Sequence, residues 1–187
     1  MRVLLCFKGA LPLRSLRQGA LPVSVQGIGR LFVCQRCDLL LLGELCCPPR
    51  EYEFAGLPDA ARTIVDLGAN VGFAARYLCA RYPDARILAL EPDPESFKLA
   101  QRNVSDHPQV ALRNVGVAGE PGPLELHRFP GGSWATSSFV TRQQVMDTFT
   151  AQAVTLDSII DELGDIDLLK IDIEGAEYEV LGSCRQL

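Results

Sequence analysis

Thr63-Ile64-Val65-Asp66-Leu67-Gly68-Ala69-Asn70-Val71-Gly72 reads as a buried strand, a glycine turn and the opening of a helix. Ile64, Val65 and Leu67 supply the apolar strand. Gly68 and Gly72 let the backbone come close to a ligand without a Cβ in the way. The helix is expected over Val71–Tyr82. A turn at the carboxyl end of a strand is expected to offer free backbone N–H groups and a positive helix end. Open α/β sheets bind nucleotide-like cofactors at that place.

The next units repeat the pattern. A second strand, Arg86–Leu90, is closed by Glu91-Pro92, and Pro94 suits the first turn of a helix running to about Val104. A third strand is expected over Val110–Val115. Strands and helices alternating through short links predict an α/β fold with a parallel sheet. After Gly116 the pattern changes to two strands around Glu120-Pro121-Gly122-Pro123, ending near Phe129. Gly131–Ser138, with Trp134, is a small-residue loop suited to a polyhydroxylated ligand or to a bare hairpin tip, and Thr141–Thr150 is ambiguous. Val154-Thr155-Leu156 reads as a short strand, and Asp157 as the cap of a helix through Leu163. Ile166–Asp172 is the fourth core strand, followed by a helix over Glu174–Ser183.

Upstream, residues 1–61 read as an arm or lid layer in front of a domain spanning 62–187. Short β pieces are expected at Val3–Phe7, Val23–Gln26 and Arg30–Gln35, and a short helix at Cys37–Leu45, stopped by Cys46-Cys47-Pro48-Pro49.

The net charge of −5 argues against nucleic acid as the main partner. Residues 1–37 carry six basic side chains and no acid, whereas the other 150 residues carry twelve basic and 23 acidic ones. No apolar run reaches the roughly 18 residues a membrane span needs, so a soluble cytoplasmic protein is the default expectation. Seven cysteines without a signal-peptide core are expected to be reduced thiols. Cys34-x-x-Cys37 followed by Cys46-Cys47 has poor zinc geometry, because the second pair is adjacent. No metal site is assigned.

Two features select the cofactor. Glu91 lies 19 residues after Gly72 at a strand end, where an acid reaches ribose hydroxyls. Asn70 occupies the place of the middle glycine that a dinucleotide's pyrophosphate requires. Asp66 and Asn70 instead offer polar groups to the amino-acid end of S-adenosylmethionine. An NAD-dependent oxidoreductase is the disfavoured alternative.

Asp66-Leu67-Gly68-Ala69-Asn70-Val71-Gly72, Glu91-Pro92-Asp93-Pro94, Thr155-Leu156-Asp157 and Leu169-Lys170-Ile171-Asp172-Ile173-Glu174-Gly175-Ala176-Glu177 together resemble the FkbM family of S-adenosylmethionine-dependent methyltransferases. The likeness covers residues 62–182, and Arg50–Phe54 resembles the family's run-in. It implies a doubly wound, Rossmann-like class I methyltransferase fold, usually seven-stranded, and O-methylation of a hydroxyl on a small molecule or sugar. It further implies that Asp66, Gly68, Asn70 and Gly72 hold the methionine part and that Glu91 holds the ribose; by fold position, Asn114 to Val117 would lie near the adenine.

Lys170, Asp172 and Glu174 alternate and would share one face of a strand. Asp172 or Glu174 is the candidate base for an acceptor hydroxyl, with Lys170 as an orienting charge. The structural reading pairs Lys170 with Asp172 and puts Glu174 at a helix start. A divalent cation on Asp172, Glu174 and Glu177 is the weaker option. Leu187 falls where strands five to seven of the implied fold would begin. The fourth strand is therefore expected as an open apolar edge. An oligomer mate, another partner or the N-terminal arm would cover it, unless the chain is a fragment or a truncated, non-catalytic interaction module.

Overall fold

The structure is a computed structural model that describes residues 20–34, 36–46, 57–128, 136–137 and 147–187. Val3–Phe7, Arg50–Phe54, Trp134 with most of its loop, 141–146 and Cys47 lie outside them, as do the side chains of Cys37 and Cys46.

The opening stretch forms β3 (Thr63–Leu67), buried at every position. Parallel neighbours are β4 (Arg86–Leu90) on one side and β10 (Leu168–Ile171) on the other, and β5 (Val110–Arg113) follows β4. The order β10-β3-β4-β5 is that of a doubly wound sheet. Successive side chains alternate between its faces. Ile64 and Ile87 pack with Leu78, Cys79 and Tyr82, which ties one face to α2 (Phe73–Arg81). Val65, Leu67, Leu88 and Leu90 pack with Leu156, Ile159 and Val180, which ties the other face to α4 (Leu156–Leu163) and α5 (Glu177–Ser183). A strand covered on both faces reads as a continuous apolar run, which is why Thr63–Leu67 was legible.

A second sheet has the order β6-β9-β7-β8, from β6 (Gly116–Val117), β7 (Gly122–Arg128), β8 (Thr136–Ser137) and β9 (Asp147–Val154). The two strands expected around Pro121 exist, but they do not pair with each other. Both pair with β9, which resolves the ambiguous segment from Asp147 onward as a strand.

Several boundaries differ from expectation. α2 begins at Phe73, because Asn70 and Gly72 hold positive φ angles of 49° and 82° that no helix continues. β5 stops at Arg113, two residues short of Val115. Thr155, not Asp157, caps α4 by accepting the Ser158 N–H at 3.2 Å, and β9 ends at Val154. β10 stops at Ile171, and α5 starts at Glu177 rather than Glu174. Glu174 (φ 56°) and Gly175 (φ 102°) lie in left-handed conformations, so the helix cannot include them.

The arm contributes a hairpin of β1 (Leu21–Val25) and β2 (Gly29–Val33), and α1 (Arg36–Cys46). Val25, Leu31, Val33, Leu42 and Leu45 share one core with Val71, Phe73 and Leu99. The hairpin therefore packs on the helix layer of α2 and α3 (Pro94–Val104). Asn103 fastens it. Its Oδ1 accepts the Phe32 N–H at 2.6 Å, and its Nδ2 donates to Phe32 O and Val71 O at 3.1 and 2.8 Å. Asn103→Ala leaves these groups without their partner and is expected to cost about 2–4 kcal/mol. Urea unfolding checks the cost. Limited proteolysis checks a second consequence, faster cleavage across Ala20–Cys34.

Among the described residues β10 pairs with β3 alone, and all four of its residues are half-buried. On the adjoining α5, Tyr178 is 91% exposed. No helix among the described residues is long and apolar enough to cross a membrane.

Candidate functional site

The carboxyl ends of β3, β4 and β10 converge on one cleft. Gly68, Asn70, Glu91, Pro92, Val117, Leu124, Leu126, Asp172, Ile173 and Glu174 are among the residues lining about 780 Å³ of space, open mouth included. A smaller cavity on the arm side of the turn is lined by Leu41, Leu45, Phe73, Lys170 and Asp172, with Gly68 and Asn70 shared. Asp172 thus borders both spaces.

The turn is built differently from the expectation of free N–H groups. Gly68 and Ala69 N–H both donate to Leu90 O, at 3.0 and 2.8 Å, and Gly72 N–H donates to Ala69 O at 2.8 Å. Asn70 N–H donates to Glu91 Oε2 at 2.7 Å. The amides of Gly68, Ala69 and Asn70 are thus engaged in joining the turn to the end of β4, and that of Gly72 in closing the turn on itself. The glycines likewise serve the chain's own packing. A Cβ on Gly68 would lie 1.8 Å from Asp172 O, and one on Gly72 would lie 3.2 Å from Ala100 Cα.

Asp66 is fully buried, with Lys170 Nζ 2.9 Å from its Oδ1. The contact is an ion pair without hydrogen-bond alignment, and neither oxygen has a hydrogen-bond partner among the described groups. Lys170 also donates to Gly68 O at 2.7 Å and lies 3.7 Å from Asp172 Oδ2. Lys170 therefore braces the turn, and its pairing with Asp66 is closer than the pairing expected with Asp172. The shared strand face of Lys170, Asp172 and Glu174 does not form, because the strand ends first.

Glu91 is almost fully buried. Its Oε1 accepts the Asp93 N–H at 2.9 Å. Burial pushes its carboxyl up to about 7 against the pull of the Asp93 and Asn70 N–H bonds. Asn114 does not line the cleft. Its Nδ2 instead clamps Glu91 O and Pro92 O at 2.8 and 3.0 Å, fixing the corner from behind. Glu174 is exposed at its rim. Even so, partial shelter, then the Asp172 and Glu177 charges, raise its carboxyl above the usual range. Glu177 Oε1 accepts the Ile173 N–H at 3.0 Å and stabilises the left-handed turn.

Val115, Gly116 and Val117 of the stretch expected near the adenine do line the cleft, but sequence reasoning missed the rest of its apolar wall, Leu124 and Leu126, which depends on β9 pairing both its neighbours. It also missed Arg128, which reaches Asp93 Oδ1 at 2.7 Å. The legible signal was Asp93 before Pro94, a helix cap that invites a basic partner. His127 of β7 shares a hydrogen bond with Thr148 Oγ1 of β9 at 3.1 Å. No three or more His, Cys, Asp or Glu among the described residues are arranged to hold a metal ion.

The sequence profile of the Methyltransferase FkbM domain matches residues 66–187. Methyltransferase 1 of Beauveria bassiana is 33% identical over 153 residues, covering 70% of this chain and 61% of that protein. Methyltransferase sdnD of Sordaria araneosa is 31% identical over 163 residues, covering 70% and 62%. 2-O-methyltransferase NoeI of Sinorhizobium fredii is 24% identical over 139 residues, covering 66% and 57%. The chain thus spans about three fifths of the length of the curated relatives it matches.

Proposed function

The chain belongs to the FkbM methyltransferase family, and we propose that it is an S-adenosylmethionine-dependent methyltransferase acting on a hydroxyl of a small molecule or sugar. The observation that carries this reading is the single cleft that brings buried Glu91 together with Asp172 and Glu174. The donor set fits the cofactor. Glu91 offers carboxylate oxygens suited to ribose hydroxyls, and the buried Oδ1 of Asn70 lacks a hydrogen-bond partner among the described residues. Val117, Leu124 and Leu126 supply an apolar wall suited to a base.

Bound S-adenosylmethionine supplies an electrophilic methyl group on a sulfonium. The protein's part is to position and to take a proton. Asp172 borders both cavities, which supports it as the group that meets the acceptor. Glu174, its carboxyl raised by partial shelter and by the Asp172 and Glu177 charges, suits proton uptake. Its left-handed backbone adds weight, since such strain concentrates at functional sites. Lys170 holds Asp66 and Gly68 in place behind them. O-methylation accords with the name of the NoeI relative.

Calorimetry with S-adenosylhomocysteine and with NAD tests the cofactor. Tight NAD binding without S-adenosylhomocysteine binding would sink the proposal. Release of S-adenosylhomocysteine over a panel of sugar, phenol and alkyl alcohol acceptors tests the reaction. Glu174→Gly is expected to leave stability unchanged or up to about 1 kcal/mol higher, because glycine relieves the left-handed strain. The same change is expected to lower kcat by roughly 100-fold or more if Glu174 takes the proton. Unchanged turnover assigns that task elsewhere.

A second reading, a cytoplasmic module that binds cofactor and a protein partner without turnover, draws on the open β10 edge and exposed Tyr178. It gains if S-adenosylhomocysteine binds and no acceptor turns over.

A further inference from the structure

We propose that Arg128, on the second sheet, is a positioning residue for cofactor binding, acting through Asp93 on the Glu91 carboxylate. The inference rests on the reading of Glu91 as the ribose ligand.

The chain of contacts is continuous. Arg128 Nη2 donates to Asp93 Oδ1 at 2.7 Å and Nε donates to Oδ2 at 3.4 Å. Asp93 is 1% exposed, so its charge has almost no help from water. The same carboxylate caps α3 by accepting the Glu95 N–H at 2.9 Å, and the Asp93 N–H holds Glu91 Oε1. Arg128 is itself held by Asp147 Oδ2 at 3.2 Å and by the Phe149 ring, 5.3 Å away. A two-pronged guanidinium on a buried carboxylate fixes direction as well as charge. The second sheet thus grips the Glu91-Pro92-Asp93 corner from one side, while Asn114 grips it from the other.

The arrangement does more than hold the corner. Asp93 lies close enough to disfavour the charged form of Glu91, and Lys170 from the end of β10 favours it. Asp172, Glu174 and Glu179 face the same cleft from beyond β10 and from α5. Asp147 from β9 and Glu95 from α3 face Arg128. Without Arg128 the Asp93 charge acts on Glu91 uncompensated, and Glu91 ionises only at higher pH. A ribose-binding carboxylate must be ionised to accept two hydroxyl donors, so affinity should follow that ionisation.

The test measures S-adenosylhomocysteine affinity by calorimetry from pH 5.5 to 8.5 in the full chain, Arg128→Met, Arg128→Lys and Asp93→Asn. Arg128→Met keeps the apolar stem and is expected to move the pH midpoint of binding upward. A one-unit rise weakens affinity about tenfold at pH values below the midpoint. Arg128→Lys should fall between it and the wild type. Asp93→Asn retains a good helix cap and should move the midpoint downward. A midpoint unmoved in a folded Arg128→Met, with only a lower melting temperature, overturns the proposal. If Arg128→Met does not fold, an unmoved or raised midpoint in Asp93→Asn overturns it instead. Wild-type protein that binds no S-adenosylhomocysteine sinks the cofactor reading itself, a result these variants cannot mimic.

Discussion

Glu91→Ala is expected to weaken S-adenosylhomocysteine binding by roughly 100-fold or more, since hydrogen bonds to a charged group are each worth about 1.5–3 kcal/mol. The variant should also lose the pH dependence of binding. The wild-type carboxyl is held near 7 by burial. Ligand hydroxyls favour its ionised form, so binding below about pH 7 must release a proton. Wild-type affinity should therefore fall about tenfold per pH unit well below 7, and the variant's should stay flat.

Stability should change in the opposite pH sense. The folded-state value lies above the usual 4.5. Between about 4.5 and 7 the folded chain holds a proton that the unfolded chain releases, so Glu91 makes the fold less stable as pH rises through that window. The accumulated cost above pH 7 is about 3 kcal/mol at most. Alanine removes that cost but leaves the Asn70 and Asp93 N–H groups without their acceptor, a loss of similar size. Glu91→Ala should thus be close to neutral at pH 8 and distinctly destabilising at pH 5. Urea unfolding at the two pH values checks the order. Equal destabilisation at both would show that Glu91 is not buried as a reluctant carboxylate.

The parts of the molecule that were legible in sequence are those whose residues answer to local geometry. Ile64, Val65 and Leu67 alternate between two covered faces, so the strand announced itself. Pro94 after Asp93 marked the start of α3. The hairpin strands and short helix of the arm were also readable. What failed depended on partners distant in the chain. Residues of β7 could not reveal that β9 would pair with both β7 and β6. Glu174 has good helix propensity, yet its left-handed backbone follows from Glu177 Oε1 holding the Ile173 N–H. Asn114 was placed by fold position near a base, whereas its amide found two carbonyls at the neighbouring strand end. The turn's glycines were read as room for a ligand. Their neighbours come from Asp172 and Ala100, far along the chain.

Those neighbours make Gly68→Ala a severely damaging single methyl. Gly68 has φ +83°, a strained setting for any L side chain. Its added Cβ would meet Asp172 O at 1.8 Å and Asp172 C at 2.9 Å. Both are backbone atoms, so no rotamer change relieves the overlap. Neither side can retreat cheaply. Asp172 N–H is tied to Leu67 O at 3.0 Å, and Gly68 O receives Lys170 Nζ at 2.7 Å. Separating them would part β10 from β3 and expose the buried Asp66 charge. A loss above about 4 kcal/mol is expected, enough to empty the folded state of a marginal domain. Gly72→Ala shares the backbone strain (φ +82°) but meets Ala100 at 3.2 Å, so it should cost less, about 1–3 kcal/mol. Gly43→Ala, on α1 with nothing within 4 Å, should be neutral or stabilise by about 0.5–1 kcal/mol. Urea midpoints for the three variants test the series. A Gly68→Ala protein as stable as Gly43→Ala would mean that β10 does not lie against the turn, and Lys170, Asp172 and Glu174 would then have no claim on the cleft.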